Sequence, residues 1–469
     1  MMLGKKLWSD RFSNLPDEVA HHILSFLSFK ELARVGIVSK RCREFYLSLP
    51  LVYLDARTNQ KRAELMSFWD RYMFHRGDKK MQRFYIAWRF STSDTANKVC
   101  DEHFRIITWI YNAVRCKVEE LDLNFIVCGM TTFALPSCLY QSQYLKSLIL
   151  KCTNEMTLEV PSVSLSCNLR YLQLSLVKIV DERVCRWISC SCKCIKELQL
   201  ILVKGLQNIA IKSSSLESFK LVSGCGMDLV HLNISGGKLE NIDLNWSFGI
   251  SPDNHSLNID APNLKALKWV GLVLNSQNLG KLMNLQSAFI FLQPKVNDDL
   301  SEVFGSICRT KILILNENTM KAMFKQSSMQ APLNDILRLG LQFTSFSNDL
   351  VPIMVFLLRR MCKLNILVIG SEPSISNPWS ISQSSSGFDM GYWKLQDLTF
   401  VYQLTELTID LSNGSNEIEF AKYVLENASN LRKIVIRHRL GSQNLNSVVR
   451  KVTRCKVISR AIIVIQEIR

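Results

Sequence analysis

The chain has 469 residues, too many for one ordinary compact domain but within reach of a repeat array. With 47% hydrophobic and 21% charged residues wholesale disorder is excluded, and no apolar run approaches the roughly 20 residues of a membrane span. The formal charge of +16 permits attraction to nucleic acid, anionic lipid or an acidic protein. Its densest basic cluster, HRGDKKMQR at His75 to Arg83, lacks the aromatic interleaving of a base-stacking platform.

The N-terminal stretch MMLGKKLWSDRF shows no apolar leader core and no cleavage-like site, so the fifteen cysteines read as mostly buried thiols of a reducing compartment. Asn254-His255-Ser256 then carries no glycosylation meaning. From residue 14 a compact helical package is predicted. Asn14 can cap a helix with Pro16 in its first turn and Asp17 and Glu18 where the macrodipole favours anions. Val19, Ile23, Phe26 and Leu27 form one apolar stripe at helical spacing. Ser28 to Glu31 has capping-box spacing for a second helix with Leu32, Val35 and Ile37 on its apolar side. Gly36 weakens that helix near its end, and Ser39 can cap a third bearing Lys40, Arg41 and Arg43. Three short helices make a poor independent core. From the residues alone they read equally as a docking module that needs a partner or as a cap on the N-terminal end of a downstream array.

From residue 118 a motif of the form L-x-x-L-x-L recurs, with apolar substitutions: VEELDL, LKSLIL, LRYLQL, IKELQL, LESFKL, LENIDL, LKALKW, LQSAFI, TKILIL, ILRLGL, LNILVI, LTELTI and LRKIVI. Leu123 and Ile436 close the first and last copies, giving a mean period of about 26 residues, inside the range of leucine-rich repeats. The alternation at the end of each copy predicts one strand per repeat, and stacking builds a curved parallel sheet. The segments between strands lack a regular asparagine and predict mixed short helices and loops. Trp109 and Trp187 each precede a strand by a similar interval and predict helices packing an indole on the sheet. Pro262 separates one short strand from the next.

Residues at outward registers of these strands are candidates for binding a protein: Glu120, Asp122, Asn124, Tyr171, Gln173, Glu197, Gln199, Asn241, Asp243 and Asn245 early in the array, Arg338, Gln342, Lys433 and Arg437 late. Ile149, Ile201, Phe289 and Phe291 fall at the same registers. An exposed aromatic pair would mark a binding patch, whereas a register one residue away would bury it. The stretch SEPSISNPWSISQSSS, Ser371 to Ser386, interrupts the array with eight serines and reads as an inserted surface loop.

No catalytic constellation is present. Cys185, Cys190, Cys192 and Cys194 lack the paired C-x-x-C spacing of zinc ribbons and read as small buried hydrophobes, so no metal or cofactor is expected. Neither His21-His22 nor any glycine-rich stretch has a catalytic or phosphate-binding context.

The segments LPDEV, ILSFL, KEL and VSKRCR, in this order and spacing, resemble the F-box, a helical module that docks on a Skp-type adaptor of a cullin-based ubiquitin ligase. The repeats resemble the leucine-rich arrays that follow plant F-boxes, and GSNEIEFAKYVLENASNLRKIVI, Gly414 to Ile436, resembles the FBD module with a helix over Glu417 to Asn427. The resemblance implies an α/β chain: a small N-terminal three-helix F-box at 9–50, a linker and start of the solenoid at 51–117, leucine-rich repeats at 118–370, the serine-rich loop at 371–394, and terminal repeats with an FBD-like region at 395–469. It implies adaptor contacts at Leu15, Pro16, Ile23, Leu24, Leu27, Leu32, Val38, Ser39 and Arg41. Many members carry Trp where this chain has Cys42, which implies a weaker contact there. It further implies a non-catalytic receptor in nucleus or cytoplasm, linked through the adaptor to a cullin and a RING subunit, with the repeats taking an unknown protein substrate. The alternative is a leucine-rich interaction scaffold that binds nucleic acid through its basic surface.

Overall fold

A computed structural model describes residues 11–57, 62–90, 96–126, 131–159, 167–224, 228–247, 254–294, 298, 300–325, 333–371, 388–411, 416–439 and 458–468. The chain packs as two units, Met1–His231 and Leu232–Arg469.

The first unit opens with α1 (Asp17–Leu24), α2 (Phe29–Val38) and α3 (Lys40–Leu47). Asn14 does not cap α1. The helix starts one residue after Pro16, whose extended ψ of 146° ends the incoming segment, and no side chain caps it. The second start is as the spacing predicts, with the Ser28 N–H donating to Glu31 Oε2 at 2.8 Å. At the third, the Cys42 N–H donates to Ser39 Oγ at 3.1 Å. Gly36 serves a close approach: a Cβ there would stand 3.0 Å from Tyr46 Cδ1, so its lack of a side chain lets α3 pack against α2.

Next come β1 (Leu51–Asp55), α4 (Arg62–Arg76), β2 (Arg83–Arg89), α5 (Ala96–Arg115), β3 (Glu120–Ile126), β4 (Thr131–Ala134), α6 (Cys138–Gln141) and β5 (Ser147–Glu159). They are followed by β6 (Tyr171–Ile179), α7 (Arg183–Cys190), β7 (Glu197–Ile201), β8 (Asn208–Lys212) and β9 (Ser218–Ser223). Strands β1, β2, β3, β5, β6, β7 and β9 lie side by side in that order, all parallel. β4 pairs with the second half of β5.

The boundary falls after the first residue of β10 (His231–Ser235), and the second unit continues with β11 (Asn241–Trp246), β12 (Ser256–Asp260), β13 (Ala266–Leu272), β14 (Ser276–Asn278), β15 (Ser287–Gln293), α8 (Ser301–Ile307), β16 (Ile312–Asn316) and α9 (Glu317–Lys325). It continues with β17 (Arg338–Phe343), α10 (Leu350–Leu358), β18 (Ile366–Ser371), α11 (Met390–Lys394), β19 (Glu406–Leu411), α12 (Asn416–Asn427), β20 (Lys433–Arg439) and β21 (Ile462–Ile468). Strands β11, β13 and β15 to β21 form a parallel series.

Every one of the thirteen motif copies enters a strand at its third residue. The inward leucines, such as Leu121, Leu123, Leu148 and Leu150, are buried, and burial of each stabilises by about 1.5–3 kcal/mol. Two further copies precede residue 118. Leu49, Val52 and Leu54 lead into β1, and Met81, Phe84 and Ile86 into β2, all buried. Their substitutions by Val, Met and Phe hid the pattern, so the array begins directly behind the third helix.

The segments between strands depart from the expectation of helices and loops. Beside the short helices stand β10, β12 and β14, adjacent strands of a second small sheet. The alternation in HLNIS and SLNID carries that strand signal. Trp109 and Trp187 both lie on helices and are buried, as predicted. Gly271 adopts φ +141° where β13 passes β11, and a Cβ there would stand 1.9 Å from the carbonyl oxygen of Trp246. The FBD-like helix is α12, one residue longer at its start than read. Of the serine-rich stretch, residues 372–387 lie outside the described residues.

Candidate functional site

The three N-terminal helices are held by Ala20, Leu24, Leu32, Cys42, Phe45 and Tyr46, all buried. Arg41 stacks 4.3 Å above the Phe45 ring and pairs with Asp17 and Glu44, which ties α3 to α1. His21 Nε2 lies 2.9 Å from Ser48 Oγ, and burial lowers its imidazole pKa below the ordinary value.

Several apolar side chains of the package are open to solvent. Phe26 is 76% exposed, Ile37 84% and Val38 74%, and Val19 and Ile23 are exposed as well. The stripe Val19, Ile23 and Phe26 therefore faces outward, while Ala20 and Leu24 turn inward. Both sides of α1 are apolar, so helical period could not say which packs.

Of the nine residues read as adaptor contacts, Pro16, Ile23 and Val38 are exposed, and Leu15, Leu27, Ser39 and Arg41 are half-buried. Leu24 and Leu32 are buried in the chain by itself. Cys42 is likewise buried, 4.0 Å from Ser13 Oγ, so its side chain belongs to internal packing.

The second candidate surface is the outward face of the strands. In the first unit it is polar. Arg83 sits between Glu120 and Asp122, at 3.6 and 3.7 Å. Tyr171 Oη donates to Gln173 Oε1 at 2.9 Å, and Gln173 Nε2 to Ser175 Oγ at 3.0 Å. Gln199 Nε2 donates to Glu197 at 2.7 Å. Asp122 and Gln173 are buried, so these two side chains lie along the sheet rather than projecting from it; Asn124, Ile149, Tyr171 and Ile201 are half-buried. Burial pushes the Asp122 carboxyl above its ordinary range, against the pull of Lys151 and Arg83. Its Oδ1 has no hydrogen-bond partner among the described residues.

In the second unit the outward face is mixed, with an apolar stretch that starts on β15. Lys268 pairs with Phe289 and Val270 with Phe291 across β13 and β15, while Ala288, Ile290 and Leu292 are buried. This is the register that brings the two phenylalanines outward. Their rings stack, with centroids 4.1 Å apart at 26°, and both are half-buried. Lys268 Nζ is 5.7 Å from the Phe289 ring and 3.4 Å from Asp243. Asn241, Asn245, Arg338 and Lys433 are exposed, Gln342 is half-buried, and Arg437 pairs with buried Asp410.

Cys167 and Cys192, on neighbouring repeats, bring their sulfurs to 3.3 Å in the interior. Among the described residues no three acidic, His or Cys side chains are placed to hold a metal ion. Among them also no helix is long and apolar enough to cross a membrane.

Sequence reasoning missed Arg76. This α4 side chain is 1% exposed, and its guanidinium donates to the carbonyls of Leu47 and Leu49, where the third helix ends. Its only sequence signal was membership of a basic cluster, which suggested a solvated surface.

The chain is similar to F-box and leucine-rich-repeat proteins. The F-box domain model matches residues 12–50, and the model described as FBD-associated F-box protein At5g56370, LRR repeats, matches residues 106–316. Among its relatives is an FBD-associated F-box protein of Arabidopsis thaliana, 23% identical over 96% of this chain and 93% of that protein. An F-box/FBD/LRR-repeat protein of the same plant is 24% identical over 91% of this chain and 88% of its own length.

Proposed function

We propose that this chain is the substrate-recognition subunit of a Skp-cullin-F-box ubiquitin ligase. The observation that carries the reading is the set of open apolar side chains on the N-terminal helices. A package serving only to cap the array would have no use for Phe26, Ile37 and Val38 in water, whereas a docking module buries them on its partner. The adaptor links the chain to a cullin and a RING subunit, and the outward strand faces, with Asn124 and Tyr171 in the first unit above buried Asp122 and Gln173, and Asn245, Phe289, Phe291 and Arg338 in the second, take the target. The chain's own share of the reaction is to raise the effective concentration of a substrate lysine near the charged ubiquitin carrier, in nucleus or cytoplasm.

Co-expression with a Skp-type adaptor and size-exclusion chromatography tests the reading. A stoichiometric complex is expected, lost in Ile37→Glu with Val38→Glu and weakened in Leu15→Ala with Pro16→Ala. A chain that elutes alone, and instead binds polynucleotide with a steep salt dependence, would support the scaffold alternative.

A further inference from the structure

Four adjacent strands of the second unit, β15 to β18, carry an outward patch of unusual make-up for a sheet face in water. Phe289 and Phe291 on β15, Ile312 and Ile314 on β16, and Ile366 and Val368 on β18 are all exposed or half-buried. Register places Ile312, Arg338 and Ile366 in one line across the sheet, and Phe289, Ile314, Gly340 and Val368 in the next. At about 4.8 Å per strand the first line runs roughly 10 Å and the second roughly 15 Å. On β17, between the aliphatic strands, stands one exposed cation. Arg338 makes no ion pair among the described residues, and Glu406, the next acid in its line, is two strands away beyond Ile366. Beside it Gly340 has no side chain, and Ile314 leans over the gap, 3.1 Å from where a Cβ would be. Arg338 therefore rises from a level apolar floor.

We propose that this patch recognises a linear segment of the substrate protein that combines apolar side chains with an aspartate or glutamate, the carboxylate meeting Arg338 and the apolar groups covering Phe289, Phe291, Ile314 and Val368. The inference rests on the substrate-receptor reading and gives that surface a substrate class. Charge complementarity selects the occupant: a lone guanidinium framed by aliphatic groups gains most from a carboxylate delivered together with apolar cover, because desolvation strengthens the pair. Lys268 at the Phe289 edge adds a second cation, shared with Asp243. A nucleic acid fits less well. It needs several cations along its backbone, and its bases need free aromatic faces, whereas the two phenylalanines stack on each other and the remaining floor is aliphatic.

The test is selection of a phage library of random twelve-residue peptides on the full chain, with and without its adaptor, followed by sequencing. Selected peptides are expected to be enriched at least threefold in Asp or Glu next to apolar residues. Phe289→Ser with Phe291→Ser should abolish the enrichment, and Arg338→Glu should switch the preference to Lys and Arg, with unchanged circular-dichroism melting in both. No enrichment, enrichment in neutral or basic peptides, indifference to these variants, or displacement of the peptides by oligothymidylate would each overturn the proposal. Adaptor co-elution, read separately, reports on the F-box. Loss of adaptor binding with retained peptide selection would sink the ligase reading alone, and the reverse result would sink the peptide class alone.

Discussion

Arg76 Nη2 donates to the carbonyl of Leu49 at 2.7 Å, so a buried cation from α4 closes the end of the F-box helices. The same guanidinium reaches Leu47 O at 3.0 Å, Lys80 O at 2.8 Å and Tyr72 Oη at 3.0 Å. The charge lies at the carbonyl end of α3, where the helix dipole favours it. This contact joins the F-box helices to the first repeat within one packed unit.

Arg76→Met should therefore leave three carbonyls short of a donor and cost about 3 kcal/mol or more, at roughly 1–3 kcal/mol per buried unsatisfied group. Arg76→Lys keeps the charge but not the fork and should fall between. Urea denaturation measures both; a Met variant as stable as the parent would show that the guanidinium is dispensable.

Leu24 and Phe26 stand two residues apart but face opposite ways, 1% and 76% exposed. Leu24→Ala should lose about 2–5 kcal/mol of stability by opening a core cavity. Phe26→Ala should stay within about 0.5 kcal/mol of the parent yet weaken adaptor capture. Thermal melting and adaptor binding by calorimetry separate the two effects.

Asp122 provides a pH signature. Burial holds its carboxyl above the ordinary value of 3.8, so the folded chain binds this proton more tightly than the unfolded one. Below that value both states are protonated and the group costs nothing; as pH rises through the folded value, stability is lost. Asp122→Asn should thus raise the melting temperature at pH 7, with the gain shrinking toward pH 4. A gain that does not vary with pH would assign the effect to something other than ionisation.

Gly271→Ala would drive a Cβ against the Trp246 carbonyl, 1.9 Å away, at a backbone angle that L residues rarely adopt. A loss of about 4 kcal/mol or more is expected, read as a fall in urea midpoint. Gly237→Ala, where a Cβ would meet nothing within 4 Å, is the control.

The strand positions after residue 118 were legible in the sequence because the L-x-x-L-x-L repeat recurs at a steady interval, whereas the face taken by Phe289 and Phe291 stood open between two registers one residue apart. The F-box was legible from motif order and spacing. What the sequence could not separate was Val19, Ile23 and Phe26 from Ala20 and Leu24, since a short helix with two apolar sides has no period that selects one. Nor could it show that Arg76 is interior, because burial of a guanidinium depends on carbonyls supplied by Leu47, Leu49 and Lys80. By itself, then, the sequence determined the order of modules and the positions of the strands after residue 118, through local periodicity. Only the tertiary structure decided which helical side stays open and where Arg338 stands among Ile312, Ile314, Ile366 and Val368, because those neighbours come from different repeats and meet only when the strands stack.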